Sequence, residues 1–518
     1  MNAISDRETE APADPGELRR RLRRSLRWQK MRALLLIAPL LIFVLVTFVS
    51  PIVDMLFRSV ENGIVTEILP HSTSALKDWN SERDELPGEA VFRGLYVDMV
   101  IAVKRRQHTR VGSRLNYEAA GIASVFRKTG RSLRKVDVDA FVRHFTDLHP
   151  DWENRAFWEG VFSDPAAAGV LPNSSRTFDA WSQDFAKPED PVPEDFVYVA
   201  LAGELRGLDA SDLSGFGQPY AGMLAEAART IGRLDEISLK QEFLQLDSEW
   251  SAATLWKTIK IFSPPLTEAY FLNAVDMKKG IEGVERKSEA ERIYLVIFGR
   301  TFVMSVTITL ACIFLGYPVA YFLARLPLRK ANLFLILVLL PFWTSLLVRT
   351  SAWKVLLQQE GVINDILVAV GIVDDSARLV MINNQFGTIV AMTHILLPFM
   401  ILPLFSVMKT IPPDFVRAAK SLGADAFTAF RRVYFPQSLP GIGAGSVLVF
   451  ILAIGYYITP ELVGGIKGTF ISNRIAYHIS TSLNWGLAAA LGTLLLMAVL
   501  LLYWVYDRIV GIDNVKLG

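Results

Sequence analysis

The residues with the most specific spacing in this 518-residue sequence lie in the stretch 412–441, between two long apolar runs. Phe415, Ala418, Ala419 and Leu422 recur at i, i+3, i+4 and i+7, which predicts one face of an α-helix. Small alanines allow another backbone to approach closely, and a flanking phenylalanine can fill a groove on a partner. The pattern therefore indicates non-covalent docking, and the alternative is an amphipathic helix lying on a membrane surface.

The elements that must position this face can be bounded within the same stretch. Pro412 and Pro413 fit only the first turn of a helix, and Gly423 is typical of the position just after a helix ends. Asp425 then predicts the cap of a second short helix. We expect a helix, a glycine bend and a second helix, all outside the bilayer.

The whole stretch resembles the EAA loop of the permease subunits of bacterial ABC importers. The residues that match that pattern in type and spacing are Ala418, Ala419, Gly423, Val433, Phe435 and Pro436. The resemblance implies that the loop 410–440 couples the chain to an ATPase subunit. The implied coupling residues are Phe415, Arg417, Ala418, Ala419, Leu422, Gly423 and Pro436. Arg417 stands where the family has glutamate, so the resemblance implies docking here without the salt bridge that this glutamate would make.

The composition of the chain excludes several classes of function. A formal net charge of +2 gives no reason to expect a nucleic-acid partner. Cys312 is the only cysteine, so neither an internal disulfide nor a cysteine-based metal site is possible. The sequence has no Gly-Lys dipeptide and hence no GxxxxGK phosphate loop. We expect no metal, no cofactor, no catalytic residue and no ATP hydrolysis by this chain itself.

The N-terminal 60 residues predict a basic tail and one membrane helix. Residues 1–32 end in a run of arginines and lysines, whereas residues 33–53 carry no charge. That length matches the ~20 residues needed to cross a bilayer. A cleaved signal peptide is the alternative, but the apolar stretch is too long and no small-x-small site follows it. We predict a cytoplasmic tail at 1–32 and a first transmembrane helix at 33–60.

Residues 61–290 differ in kind, because charges are frequent and no apolar run is long enough to span a membrane. Helical spacing recurs, for example within 141–148, and a region of this length can bury a core of its own. The aromatic run from Trp152 to Phe162 argues against a disordered loop. No GxSxG or HExxH motif indicates an enzyme. We predict a folded, mostly helical domain on the periplasmic side.

Residues 291–518 predict five further spans, at about 301–324, 331–348, within 379–408, 442–459 and 485–504. The loops 325–330 and 409–440 are rich in lysine and arginine, which favours the cytoplasmic side for both. Six spans that start inside place both loops and both termini there. The predicted fold is therefore an all-α polytopic membrane protein of six transmembrane helices, with the soluble domain inserted between the first and the second.

Further segments are similar to the spermidine/putrescine branch of these permeases. They are residues 316–321, 341–364, 396–400 and 460–465. The region 61–290 has no counterpart in that branch, whose loop there is much shorter. Maltose-type permeases carry a periplasmic insertion that touches their binding protein, which is an analogy only.

These observations favour a permease subunit of an ABC importer in the bacterial inner membrane. The resemblance implies an ATPase subunit, a periplasmic solute-binding protein and a second permease subunit, either a homologue or the same chain. The alternative is a secondary transporter or channel without an ATPase, which predicts inverted repeats and charges buried in mid-span. A third hypothesis is a membrane-anchored receptor or hydrolase, but five spans after the insertion exceed what an anchor needs.

The branch resemblance implies a flexible polycation such as putrescine or spermidine as the substrate. Such a substrate needs carboxylates for its ammonium groups and aromatic faces for its charge. Tyr456, Tyr457 and Glu461 occur within six residues, and Trp343 near the end of a predicted span is a further candidate. Tyr457 and Glu461 share a face if the helix continues through Pro460. The simpler interpretation is that Glu461 marks the membrane edge and binds nothing.

Overall fold

The computed structural model describes residues 15–83, 85–234, 238–280 and 283–510. The first 14 residues of the predicted basic tail and the last eight residues of the chain lie outside this range. The chain divides into two compact units, Met1–Arg58 and Ser59–Gly518.

The described part of the first unit, residues 15–58, is one helical rod with a local change of winding. Its segments are Pro15–Val44, a π-helical turn Leu45–Val49, and Ser50–Arg58. The amide of Ser50 donates to the carbonyl of Leu45, five residues back, just before Pro51. Proline has no N–H and its ring crowds the carbonyl four residues earlier, so the wider turn accommodates it. The apolar part, Lys30–Arg58, is long enough to cross a membrane and lies within a few residues of the predicted helix at 33–60.

The inserted region is helical, as predicted. Its α-helices are Gly63–Ile68, Pro70–Ala75, Glu89–Lys104, His108–Asn116, Ile122–Ser132, Asp139–Leu148, Arg155–Ser163, Ala167–Val170, Pro172–Ala180, Asp195–Leu205, Tyr220–Thr230, Leu239–Leu246, Ala253–Ile261 and Ala269–Ala274. Shorter 3₁₀ or π turns are Leu133–Lys135, Pro150–Glu153, Trp181–Phe185, Asp212–Gly215, Ile231–Leu234, Ser248–Ser251 and Glu289–Glu291. Met277–Lys279 and Val284–Arg286 pair as an antiparallel hairpin, the only strands among the described residues.

One apolar core runs through this region from Val65 to Ala269. Five tryptophans of the region are fully buried in it: Trp152, Trp158, Trp181, Trp250 and Trp256. Residues from Tyr270 onward pack instead with the second and last spans. The apolar core therefore ends before the predicted boundary at residue 290, which itself stays a prediction.

The core is built from an internal repeat that the sequence analysis missed. The indole of Trp158 donates to the carbonyl of Trp152 at 3.0 Å, and the indole of Trp256 donates to that of Trp250 at 2.9 Å. In both cases a helix precedes a 3₁₀ turn that bears the first tryptophan, and a second helix bears the other. The segments 139–163 and 239–261 therefore have the same local architecture.

Helix caps repeat in the same way. Asp98 accepts hydrogen bonds from the amide and hydroxyl of Ser72, at 2.7 and 2.5 Å. Glu204 accepts the same pair from Ser174, at 2.8 and 2.6 Å. Each serine lies in the first turn of a short helix that begins with proline, and each acid lies on the next long helix. The domain thus consists of two similar halves, residues 69–163 and 171–261.

The insertion is joined to the membrane helices by specific contacts. The hydroxyl of Tyr117 donates to the carbonyl of Ser482 at 2.8 Å. Gly486 packs so closely on the ring of Tyr270 that a Cβ atom would lie 2.3 Å from a ring carbon. Asp276 caps the second span, because its carboxylate accepts from the backbone amides of residues 293–295 at 2.8–3.1 Å. Aligned amides at a helix N-terminus favour a carboxylate there.

Among the described residues, and counting Lys30–Arg58 of the first unit, five helices are long enough to span a membrane, with a sixth if a bent pair is one span. The α-helices from the second span onward are Tyr294–Arg325, Leu328–Leu339, Leu346–Leu356, Val362–Ala369, Gln385–Thr410, Pro413–Ser421, Ala426–Ala429, Phe435–Gly455, Ile458–Val463, Gly465–Gly468, Ile471–Ser480 and Trp485–Val510. Turns of 3₁₀ or π type are Leu340–Trp343, Asp375–Ala377 and Phe430–Tyr434. The all-α polytopic fold is confirmed.

The third span departs from the straight helix predicted at 331–348. Leu328–Trp343 and Leu346–Leu356 meet at an angle of 90°. Pro341 is the second residue of the 3₁₀ turn, and Ser345 caps the next helix by accepting from the amide of Val348 at 3.2 Å. A proline that ends one helix and a serine that starts another give the chain its corner.

Candidate functional site

The predicted docking loop has the expected local structure. A helix spans Pro413–Ser421, with Pro412 before it and Leu422 after it. Gly423 has φ +92°, a left-handed conformation that suits glycine, and no atom lies within 4 Å of where its Cβ would be. Asp425 caps the next helix, Ala426–Ala429, by accepting from the amide of Phe427 at 3.2 Å. The helix, glycine bend and second helix are all present.

The face predicted for docking is open in the isolated chain. Leu422 is 89% exposed, Phe415 is half-exposed, Ala418 is exposed and Ala419 is partly buried. Large apolar side chains at such exposure are costly in water, so this surface is suited to cover by a partner. The guanidinium of Arg417 pairs within its own helix, with Asp414 at 3.2 Å, and both side chains are well exposed.

The loop is anchored to the second span by a lysine that the sequence analysis counted only as a loop charge. The ammonium of Lys409 donates to the carbonyls of Ala324 and Leu326, at 3.0 and 2.9 Å. These carbonyls lie at the C-terminal end of the helix Tyr294–Arg325, where cations are favourable. The sequence shows that Lys409 ends one apolar run and that the second span ends near Arg325. It does not show that the two are in contact.

Pro436, the last of the predicted coupling residues, explains the helical winding just before it. The π-helical turn Phe430–Tyr434 closes with the amide of Phe435 donating to the carbonyl of Phe430. As at Pro51, the wider turn accommodates the proline that follows it. The turn aims the ring of Phe430 at Tyr321, with ring centroids 5.7 Å apart. The docking loop is therefore packed against the second span by aromatic contacts as well as by Lys409.

The candidate substrate residues are arranged differently from the prediction. The fifth span ends at Gly455, short of the predicted 459, and Tyr456 leaves the helix in an extended conformation. Tyr457 precedes a separate helix, Ile458–Val463, so the fifth span itself does not continue through Pro460. Pro460 instead lies in the first turn of this new helix, where backbone amides have no acceptor within the helix and a proline therefore breaks no hydrogen bond. Tyr457 and Glu461 are still one turn apart, since the amide of Glu461 donates to the carbonyl of Tyr457 at 3.1 Å.

Glu461 is exposed, and a partner that the sequence analysis missed orients it. The side-chain amide of Asn473 donates to the carboxylate of Glu461 at 2.6 Å and to the carbonyl of Tyr457 at 2.8 Å. The neighbouring Ser472 donates to the carbonyl of Tyr456 at 2.6 Å. Residues 472 and 473 thus hold all three outer candidates through the helix Ile471–Ser480. A carboxylate held by one amide keeps lone pairs free for an ammonium ligand.

Trp343 does not join this group. It ends the 3₁₀ turn before the corner of the third span, and it is 74% exposed. Among the described residues, no hydrogen bond or ring contact links it to Tyr456, Tyr457 or Glu461. The corner helix reaches the outer group instead through Thr350, whose hydroxyl lies 3.1 Å from that of Thr459 in a buried contact.

Arg349, on the same corner helix, is the charge that the span prediction treated as a flanking residue. Its guanidinium lies 5.5 Å from the ring centroid of Phe342 and within electrostatic reach of Tyr456. Nε and Nη1 are buried and have no hydrogen-bond partner among the described residues. A buried cation whose N–H groups lack hydrogen-bond acceptors is energetically costly in a membrane domain, which makes Arg349 a candidate functional residue. The sequence could have indicated this residue, since Arg349 directly follows an apolar run.

The described residues contain no group of three or more His, Cys, Asp or Glu side chains that could hold a metal ion. Cys312 is buried within the second span. The exposed docking face and the outer group of Tyr456, Tyr457 and Glu461 lie at opposite ends of the fifth span.

Comparison with known proteins places these features in a family. The model for "Binding-protein-dependent transport system inner membrane component" matches residues 298–511. The spermidine/putrescine transport system permease protein PotB of Escherichia coli is 34% identical over 222 residues, which are 42% of this chain and 80% of that protein. PotB of Haemophilus influenzae is 37% identical over 218 residues, 42% of this chain and 75% of that protein.

A third relative is the inner membrane ABC transporter permease protein YdcU of Escherichia coli. It is 33% identical over 222 residues, 41% of this chain and 70% of that protein. The family match begins at residue 298, so the repeated helical insertion lies outside it.

Proposed function

The chain belongs to the family of binding-protein-dependent transport system inner membrane components, within its spermidine/putrescine permease branch, and we propose that it forms the translocation path for a polyamine such as putrescine or spermidine. A separate ATPase subunit drives the transport, and a periplasmic binding protein delivers the substrate. A second permease subunit, a homologue or another copy, completes the path.

The observation that carries the transport role is the open face of the docking loop. The helix Pro413–Ser421 exposes Phe415 and Leu422 beside small alanines, and Lys409 ties the loop to the end of the second span. An ATPase that holds this face can therefore pull on a membrane helix. The coupling roles of Arg417, Gly423 and Pro436 are part of the same proposal.

The support for a polyamine is the identity to the two PotB proteins together with the outer group of residues. Glu461 offers a carboxylate, Tyr457 offers an aromatic face one turn away, and Tyr456 offers another in the extended segment before it. Ammonium groups are attracted by both kinds of group. Arg349 beside Tyr456 opposes a second cation there, so Glu461 is the anchor in this proposal.

Uptake measurements test the substrate. The permease, its ATPase and its binding protein should import labelled putrescine or spermidine in proteoliposomes, and Glu461→Gln should lose most of that rate at matched expression. Asp374→Asn removes one exposed carboxylate from the loop before the fourth span and serves as the control. Absence of polyamine uptake by the unmodified complex would overturn the substrate class, and full uptake by Glu461→Gln would overturn only the role of Glu461.

We further propose that the insertion faces the periplasm and contacts the binding protein, with both termini in the cytoplasm. The lysine and arginine of the loops 325–330 and 409–440 support this orientation. A reporter that is active only outside the cytoplasm should work when fused near Gly203 and fail near Ser421. The reverse pattern would invert the topology.

A further inference from the structure

The two halves of the insertion differ in the charge of one connecting segment. The helices Glu89–Lys104 and Asp139–Leu148 correspond to Asp195–Leu205 and Leu239–Leu246, and one connecting segment links each pair. The segment 105–138 has nine basic residues and two acids, whereas its counterpart 206–238 has three basic residues and five acids. Since both halves build the same kind of core, this difference in charge is not needed for folding.

The basic segment is a helical hairpin of His108–Asn116 and Ile122–Ser132. Its two helices approach closely, because a Cβ on Gly112 would lie 3.0 Å from Cβ of Phe126 and one on Gly130 would lie 2.7 Å from the ring of His108. These contacts define an antiparallel pair with its tip at residues 117–121. One face of the second helix, with Val125 and Phe126, is buried in the core.

The opposite face of the hairpin is a row of cations. Arg127, Arg131 and Arg134 recur at i, i+4 and i+7 and are all exposed. Together with exposed Arg110 and Lys135 they form the basic ridge. None of these five residues makes an ion pair among the described residues.

The only acids of the segment do not neutralise the ridge. Glu118 is buried in an ion pair with Arg114, and Asp137 accepts from the amide of Asp139. Neighbouring like charges on a helix cost a few tenths of a kcal/mol per pair. A ridge that repels itself and contributes nothing to the core is therefore suited to a partner of opposite charge.

The tip of the hairpin fixes where that partner must be. Tyr117 at the tip is bonded to Ser482, just before the last span, so the hairpin starts at the membrane helices and the ridge lies along the part that leads away from them. The second helix has 11 residues and extends about 16 Å from there. The helix Ile471–Ser480, which holds Glu461 through Asn473, ends two residues before Ser482. The ridge and the outer substrate group therefore belong to one end of the molecule.

We propose that the basic ridge is the docking surface for the acidic, cleft-bearing face of the substrate-binding protein. This inference rests on the proposed polyamine function, because a receptor that holds a polycation must gather carboxylates around its cleft. That face must turn toward the permease to release its ligand, and it then meets Arg127, Arg131 and Arg134. The same ridge repels free polyamine, so it favours delivered substrate over substrate in solution.

The test is a charge reversal in the full complex, reconstituted in nanodiscs, with ATP hydrolysis measured against the concentration of binding protein. Arg127→Glu, Arg131→Glu and Arg134→Glu combined should raise the concentration needed for half-stimulation at least tenfold at low salt, with the maximal rate unchanged. Electrostatic steering alters association by about 10- to 1000-fold. The difference should shrink at about 0.5 M salt, where charges are screened within a few ångströms.

The matched control reverses three other exposed cations of the insertion, Lys77, Arg83 and Arg143, and should leave the half-stimulating concentration unchanged. An unchanged value in the ridge variant, or an equal rise in the control, overturns the docking surface. A ridge effect seen only in nanodiscs with anionic lipid, and lost in zwitterionic ones, assigns the ridge to lipid headgroups and also overturns it. Failure of the proposed function itself is distinct, because the unmodified complex would then show no stimulation by the binding protein.

Discussion

The hydroxyl of Tyr294 lies 2.9 Å from Nε2 of His478, and this contact joins the first turn of the second span to the helix that precedes the last one. The other ring nitrogen of His478 lies 2.8 Å from the hydroxyl of Ser482. Burial lowers the pKa of His478 from 6.5 to about 4, and the nearby cations of Arg474 and Lys287 act in the same direction. The imidazole is therefore neutral at physiological pH.

Acidification should lower the stability that the buried, neutral His478 contributes. Because the folded-state pKa of His478 lies below the unfolded value, the stability it contributes is complete above pH 6.5 and is lost as the pH falls toward 4. A shift of this size corresponds to roughly 3 kcal/mol. The unfolding temperature in nanodiscs should fall over this range, and His478→Gln should reduce that fall because glutamine does not titrate. Parallel curves for the two proteins would contradict the role of His478.

A charge placed on the docking face should uncouple the ATPase. Ala419→Glu puts a carboxylate into the contact, at a cost of several kcal/mol if it is left unpaired there. The isolated chain should insert and melt normally, since the face is open, but ATP hydrolysis should no longer respond to substrate. Lys420→Gln gives the same change of net charge on the opposite side of the helix and should keep coupling. Normal coupling in Ala419→Glu would remove the assignment of this face.

At Gly423, in the bend after the docking helix, the effect of a substitution should depend only on how readily the new residue adopts a left-handed backbone conformation. Gly423 has φ +92° and open space around it, so a substitution brings strain and no collision. Gly423→Val should reduce substrate-stimulated ATP hydrolysis strongly, because a branched side chain disfavours the left-handed region by about 1–2 kcal/mol. Gly423→Asn should retain most of it, because asparagine adopts this conformation more readily. Equal activities in the two variants would show that the bend is not required for coupling.

The parts of the molecule that follow from neighbours in sequence were predictable. Spacing around Ala418, glycine at 423 and a capping Asp425 determine the docking loop, and all three act within a few residues. The break of the third span also depends on local residues, Pro341 and Ser345, but the apolar pattern continues across it. The prediction from hydropathy therefore merged two helices into one.

The contacts that hold the functional residues could not be predicted in this way. Lys409 meets carbonyls more than 80 residues away, and Asn473 meets Glu461 only because the chain reverses between them. The internal repeat was hidden for another reason. Its matching positions are buried tryptophans six residues apart in both halves and capping acids, but the serine and its acid are 26 residues apart in one half and 30 in the other.

The helix Ile471–Ser480 has a mechanical consequence. Asn473 near its start holds the carboxylate of Glu461, and His478 near its end holds Tyr294 where the insertion meets the second span. A helix of ten residues is a stiff rod about 15 Å long, so it bends little when one end is displaced. A tilt of the insertion must therefore reappear as a shift of Asn473. If Glu461 binds a cation as proposed, a movement of the insertion changes how many lone pairs of its carboxylate are free for that cation.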